Sequence, residues 1–418
     1  MERRGLGGTS VRQESLARGC TAADRNRTDD TRIFSPLLYR LSYSGDIGTY
    51  YRGSRKSQVV LSRRAFYGIV LCMPSHFTHL LFAEDALRGA LGEKAKEILD
   101  AHGNLFRFGA QGPDFFYHNQ RTMPTGLRYG VALHRHGYGS FVQELVREAQ
   151  RLSSGPGSEL SAFILGFTTH ASLDRFAHPF IAYFAGWVDP KDEASRRLYH
   201  AHPFFERILD VLVLRERYGM LPPQFDFLSK IRCGRTLPYP VIKAMVKGLN
   251  TVYPAYNYKS RNRQRIENAY HDAVFFYKLT NHLNPNLVKL AYRKDRKEGF
   301  REKRLGLLHP REVPAGYDFL NVSHQSWCHP CDSAAVTNAS FLELYDQALA
   351  RCIVMLGDVY LVLSGQGPVE GLAARLGDES LDTGRGNCTP VYSKPLPLRE
   401  IMDELYRKME VEVDIERP

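Results

Sequence analysis

Two short stretches, His170-Ala-Ser-Leu-Asp174 and His202-Pro-Phe-Phe-Glu206, each set a histidine four residues ahead of a carboxylate. On a helix four residues make just over one turn, so both side chains of a pair leave the same face. Two helices carrying such pairs can face each other across a core and aim four ligands at one point. Helical bundles build multinuclear metal sites in this way. His178 stands between the two pairs, and His79, Asp114 and the couple His134/His136 lie upstream. Ten of the 15 histidines fall between residues 76 and 202, so the constellation is regional rather than scattered.

Each residue taken singly has an ordinary reading. A lone histidine on an apolar helix is usually a satisfied core group. Asp114 after Gly112-Pro113 suits a turn, and Glu206 suits a surface. The repeat of one spacing within forty residues, with His178 between, favours metal binding. Zinc takes imidazole nitrogen and carboxylate oxygen at about 2.0–2.2 Å. A site of two or three ions needs about eight or nine such ligands, with some sharing. The chain offers His79, Asp114, His134 or His136, His170, Asp174, His178, His202 and Glu206. Closely spaced ions let one activate water while another holds an oxygen of a phosphate ester.

The periodicity predicts an all-α protein. Residues 1–72 show no sustained period and are rich in Arg, Ser, Gly and Thr. The run Asp24–Gly45 resembles peptides made when DNA beside or within an RNA gene is translated. The expected start of the folded protein is therefore Met73, the alternative being a disordered basic tail. Ser75 can cap a helix over His76–Ala101. Phe108–Tyr117 reads as a turn, His136–Leu152 as a helix, Ser153–Ser158 as a break and Glu159–Ala185 as a long apolar helix disturbed near Pro179. Lys191–Tyr218 reads as a second helix with Pro203 at or near a kink. Later helices are expected over Pro240–Asn250, Arg263–Leu283, Ala335–Ser364 and Leu398–Met409. The charged stretch Arg293–Arg304 reads as a solvated face. The expected organisation is a leader at 1–72, a metal-binding multi-helix bundle at 73–220, a helical extension packed on it at 221–410 and a tail at 411–418.

Charge and cysteine content narrow the partners. Residues 1–72 hold 13 Lys+Arg against 6 Asp+Glu, a surplus of 7, which leaves +4 of the net +11 for the body. Nucleic acid is thus a weaker expectation than a small phosphodiester. Seven cysteines without a framework spacing suggest reduced thiols. Trp327-Cys-His-Pro-Cys331 lacks the strand–helix context of a redox Cys-x-x-C, since Asn321–Asp332 reads as loop. No stretch of 18 apolar residues is present, and no export signal is convincing, so a cytoplasmic location is expected.

These motifs resemble the zinc-dependent phospholipase C family, which shares a helical fold with single-strand-specific zinc nucleases. Thr78-His-Leu-Leu-Phe-Ala-Glu-Asp-Ala86 is similar to the family's first helix, which makes His79 a metal ligand. Phe108–Tyr117 carries the loop aspartate, Asp114. Ala132-Leu-His-Arg-His136 sits where a further histidine belongs, with His134 preferred and His136 in reserve. Ile164–Asp174 is similar to the strongest motif and implies His170 as ligand and Asp174 as a carboxylate shared between ions. His178, His202 and Glu206 complete the set. The match spans Met73–Glu216. No tryptophan stands near Met73, where secreted phospholipases use a processed amino-terminal one, and their β-sandwich membrane domain has no counterpart. The resemblance implies two or three Zn²⁺ and a hydrolase whose metal-bound hydroxide attacks a phosphodiester, with Asp114 and Asp174 orienting or bridging the ions. A phospholipid substrate and transient contact with a membrane surface follow from it. A nuclease on the same scaffold, or a non-catalytic metal-binding protein, are the alternatives.

Overall fold

The computed structural model describes residues 76–189, 191–256, 261–280, 285–299, 304–386 and 388–415. The leader, Met73 and the Ser75 cap lie outside them. Among the described residues, thirteen α-helices and one two-stranded antiparallel ladder make up the regular structure besides short 3-10 turns, so the fold is all-α.

The helix α5 (Glu159–Ala185) runs through the centre. Of its 27 residues 23 are buried, which marks a helix covered on every side rather than a surface one. Ser158 starts it, its hydroxyl accepting from the Ser161 N–H at 3.3 Å. Around it pack α1 (His76–Leu91), α2 (Glu93–Ala110), α4 (Tyr138–Arg151), α6 (Ala201–Tyr218) and α11 (Phe341–Leu363). The approach of α2 to α5 is close because Gly166 has no side chain. A Cβ there would lie 2.0 Å from the Phe106 carbonyl oxygen. Pro179 lacks the N–H that would bond the Arg175 carbonyl. The backbone of Gly384 moves in against that carbonyl, where a Cβ would stand 2.4 Å from the oxygen.

The start of α1 is capped by tertiary contact. Asp210 of α6 accepts from the His76 N–H at 2.9 Å and the Thr78 N–H at 2.8 Å, satisfying orphan donors of the first turn. The remaining helices are α3 (Leu127–Arg135), α7 (Phe227–Ile231), α8 (Tyr239–Val252), α9 (Asn262–Thr280), α10 (Pro285–Lys297), α12 (Leu372–Leu376) and α13 (Leu398–Ile415). From the carboxy-terminal half, α11 packs on α5 and α1, α12 on α4, and α13 on α6.

Several local expectations change. The first helix ends at Leu91, because Gly92 turns the chain at φ +55°, and α2 then runs on to Ala110. The loop expected before His136 holds α3. Lys191–Tyr218 divides into a 3-10 turn, Glu193–Leu198, and α6. Pro203 is the third residue of α6, where a missing N–H costs no intrahelical bond, so it makes no kink. Ala335 belongs to a strand: β1 (Trp327–His329) pairs with β2 (Asp332–Thr337), and α11 begins only after Ser340, which forms a capping box with Glu343. The Asn321–Asp332 loop is thus partly β1. Within Arg293–Arg304, Asp295 is fully buried and accepts from Arg304 and Tyr406, so this stretch is not simply a solvated face. Cys331 and Cys388 form a disulfide with Cα atoms 5.9 Å apart, against the expectation of reduced thiols. Their 57-residue separation hid the pairing, which the fold creates by laying residues 391 and 392 against the Pro330 carbonyl.

The α2–α5 crossing generates a stability prediction. Gly166→Ala should lower unfolding free energy by about 1–3 kcal/mol, the cost of overpacking where two backbones meet. Gly155→Ala, with nothing within 4 Å of its added carbon, should leave it nearly unchanged. Denaturant melts of the two variants check this.

Candidate metal centre

Four helices and one turn bring the eight residues together. α1 contributes His79, and the 3-10 turn Gly112–Phe116 contributes Asp114. His134 comes from α3, His170, Asp174 and His178 from α5, and His202 and Glu206 from α6. All eight are buried. His136, held in reserve by the sequence, is exposed and stacks toward Tyr253 instead. The turn carrying Asp114 fits only because Gly112 abuts His170, where a Cβ would stand 2.2 Å from the imidazole Cγ.

Asp174 lies at the middle. Its Oδ1 is 3.1 Å from His79 Nε2. Its Oδ2 is 2.9 Å from His170 Nε2, 3.8 Å from His134 Nε2 and 3.9 Å from His178 Nδ1. Asp114 Oδ1 stands 2.9 Å from His134 Nε2, and its Oδ2 3.5 Å from His170 Nε2. Glu206 Oε1 lies 3.1 Å from His202 Nε2 and 3.5 Å from His178 Nε2. Three sets of donor atoms therefore converge, each within 4.8 Å: His79, His170 and Asp174; Asp114, His134 and His170; His178, His202 and Glu206. The first two share His170, and one imidazole nitrogen serves one ion at a time. The α5 helix carries both His170–Asp174 and Asp174–His178 at four-residue spacing, so a single rod addresses all three sets.

Main-chain carbonyls orient the rings. His134 Nδ1 bonds the Gly130 carbonyl at 2.8 Å, His170 Nδ1 the Ala110 carbonyl at 3.3 Å and His178 Nδ1 the Leu381 carbonyl at 2.8 Å. A carbonyl can only accept, so in the neutral ring the proton sits on Nδ1 and the Nε2 lone pair points inward. The inward atoms then lack donors. Asp114 Oδ1, His134 Nε2, His170 Nε2, Asp174 Oδ2 and Glu206 Oε2 are buried with no hydrogen bond among the described residues. Acceptors crowded at such distances repel unless positive charge lies between them. Imidazole and carboxylate at three donors per set, with a coordination position left over, is the donor chemistry of a catalytic zinc site.

Without a cation, protons partly fill this role. Burial lowers the His134 imidazole, but Asp114 overrides it and raises it to about 9. Burial likewise opposes His79, whose titration Asp174 nevertheless raises. For His170 burial prevails, and it titrates below the usual range. Burial would push Asp174 up, yet His170, His178 and His79 hold it well below the carboxylate range. Glu206 is lowered in the same sense by His202 and His178, against the effect of burial.

Sequence reasoning missed the supporting groups. Leu381 orients His178 from more than two hundred residues away, and its N–H bonds the His134 carbonyl at 2.7 Å. The fully buried Arg207, next to Glu206, and His76, one turn before His79, were legible as neighbours of ligands.

The proton on His134 leads to a linkage prediction. A ring that titrates near 9 is protonated at pH 7.5 and must lose its proton to bind an ion. Zinc uptake by the metal-free protein at that pH should release protons, and affinity should fall as pH drops. Calorimetry in buffers of different ionisation enthalpy reads this directly; no proton release would contradict it.

Residues 78–260 match the family model of zinc-dependent phospholipase C. No curated protein and no solved structure matches the chain. The matched region holds all eight converging residues, and the match supports the zinc-dependent phospholipase C family.

Proposed function

We propose that this chain is a phosphodiesterase of phospholipase C type, with two or three zinc ions held by His79, Asp114, His134, His170, Asp174, His178, His202 and Glu206. The observation that supports this most is the set of buried, donorless acceptors around Asp174. Bound zinc would supply Lewis acidity toward a phosphoryl oxygen and lower the pKa of water to about 7. Asp174 presents one oxygen to His79 and the other to His170, and would help hold a bound ion with them. Asp114 faces His134 and His170 and would hold an ion with them on the turn side. Glu206 keeps Oε1 against His202 and His178 in the third set and leaves Oε2 without a hydrogen bond among the described residues. Carbonyl anchoring of three imidazoles keeps these atoms in place before substrate arrives, so little reorganisation is needed at the reacting phosphorus.

The substrate we favour is a phospholipid headgroup ester. Among the described residues no helix is long and apolar enough to cross a membrane, so contact with lipid would be made from a surface. The body's modest positive charge favours a small phosphodiester over a nucleic-acid backbone.

His170→Ala and Asp174→Asn should each abolish hydrolysis of phosphatidylcholine and of a generic phosphodiester, and should lower the zinc content found by elemental analysis. Either variant retaining full zinc and full turnover would remove the mechanism. Preferential turnover of single-stranded DNA by the wild type would move the substrate to the nuclease class.

A further inference from the structure

Beside the metal ligands lies a second buried group that the chemistry above does not use. His76 is three residues before His79, His118 four after Asp114, and Arg207 directly after Glu206. Each is therefore about one turn or less from a ligand. Tyr277 joins them from α9, outside the region matched by the family. The His76 ring meets Tyr277 at 4.6 Å and His118 at 5.5 Å between centroids, and His118 meets Tyr277 at 5.1 Å, all edge to face. His118 also stacks on Phe276 at 4.3 Å. All four residues are at least nine-tenths buried.

The hydrogen-bond inventory of this box is unbalanced. Arg207 Nη2 lies 3.3 Å from His76 Nε2. A guanidinium only donates, so Nε2 is the acceptor and the His76 proton sits on Nδ1. That Nδ1 has no hydrogen-bond partner among the described residues, nor do Tyr277 Oη and both ring nitrogens of His118. Burial and the charge of Arg207 depress His118 to about 3 and hold His76 well below its usual range, so both rings are neutral. A neutral imidazole always has one N–H. The box thus presents three unused donors: His76 Nδ1–H, Tyr277 O–H and one N–H of His118.

Arg207 brings positive charge to these donors, offset in part by Asp210, Glu206 and Asp114. Arg207 stands 3.7 Å from Asp210, but that carboxylate already accepts from His76 N, Thr78 N, Thr78 Oγ1 and His309 Nε2, which disperses its charge. Among the described residues, three histidine, aspartate or glutamate donors do not converge here as they do in the metal sets. The Asp114 carboxylate, itself in the metal cluster, acts on the Tyr277 hydroxyl, and Gln111 Nε2 ties the turn to the His76 carbonyl at 3.3 Å.

We propose that His76, His118, Tyr277 and Arg207 form an oxyanion pocket that binds a non-bridging phosphoryl oxygen beside the metal centre. This deepens the phosphodiesterase reading and rests on it for the identity of the substrate. The shared chemistry is a phosphoryl oxygen, whether from the intact ester or from released phosphate. Tyr277 is a binding and positioning group in this scheme, and no bond to it forms or breaks.

The test uses the zinc-loaded full chain, with Tyr277→Phe and His118→Phe. Tyr277→Phe keeps the ring and removes only the hydroxyl, and His118→Phe keeps an aromatic side chain without the two nitrogens; deleting a buried hydroxyl that lacks a partner should leave thermal stability unchanged or raised. Metal content should equal that of wild type. Inorganic phosphate, titrated by calorimetry, should bind each variant about tenfold or more weakly, the size of one lost hydrogen bond to a charged group. A matching rise in KM for a phosphodiester assigns the pocket to the substrate; an unchanged KM with weakened phosphate binding assigns it to the product. Unchanged phosphate affinity and KM in both variants, or no phosphate binding by wild type, would overturn the pocket and show that the box holds packing or water only. A wild type that binds phosphate through this box yet hydrolyses no phosphodiester would instead remove the enzymatic reading and leave the pocket standing.

Discussion

The approach of α2 to α5 at Gly166 positions two of the converging groups, His170 and Asp114. With the Phe106 carbonyl pressed against that glycine, the end of α2 arrives beside His170, and the Ala110 carbonyl becomes the anchor for its Nδ1. The chain then turns at Gly112, whose missing side chain makes room for the same imidazole, and presents Asp114 two residues later. One backbone contact therefore fixes a histidine, its tautomer and the carboxylate opposite it. A side chain at either glycine would push these groups apart.

What this geometry creates is electrostatically unfavourable in isolation. Taking carboxylates and imidazole lone pairs out of water is costly unless they are paired. Asp174 has imidazoles on both of its oxygens, and its depressed titration reports how strongly it seeks positive charge. A divalent ion answers that demand better than shared protons, because it satisfies several acceptors at once. Ion binding and folding stability are thereby coupled, as in other sites whose ligands are brought together only by the fold.

The carboxy-terminal half takes part in the site as well as in packing. The segment around Leu381 closes over α5 where Pro179 leaves the Arg175 carbonyl open, and from there it orients His178. Arg175 holds that segment through the Leu376 and Gly377 carbonyls at 2.7 and 2.9 Å, and the Cys331–Cys388 disulfide ties the hairpin to the chain just beyond it. Tyr277 enters from α9 in the same way, completing an environment that the family-matched region alone does not contain.

The amino-acid sequence alone determined the helical character of the chain, the span of α5 and the ligand candidates, because helix periodicity and four-residue spacing are local properties. The four-residue step from Asp174 to His178 was legible too; on an unbroken α5 it reaches the neighbouring set with Glu206. Tertiary structure alone decided between His134 and His136, since only the helix end places one inside and the other in solvent. It also decided the disulfide, the buried Asp295–Arg304 pair, the carbonyl anchors and the box around Tyr277. Each of these joins residues through space or through main-chain atoms common to all residues, and such contacts leave no spacing in the sequence from which to read them.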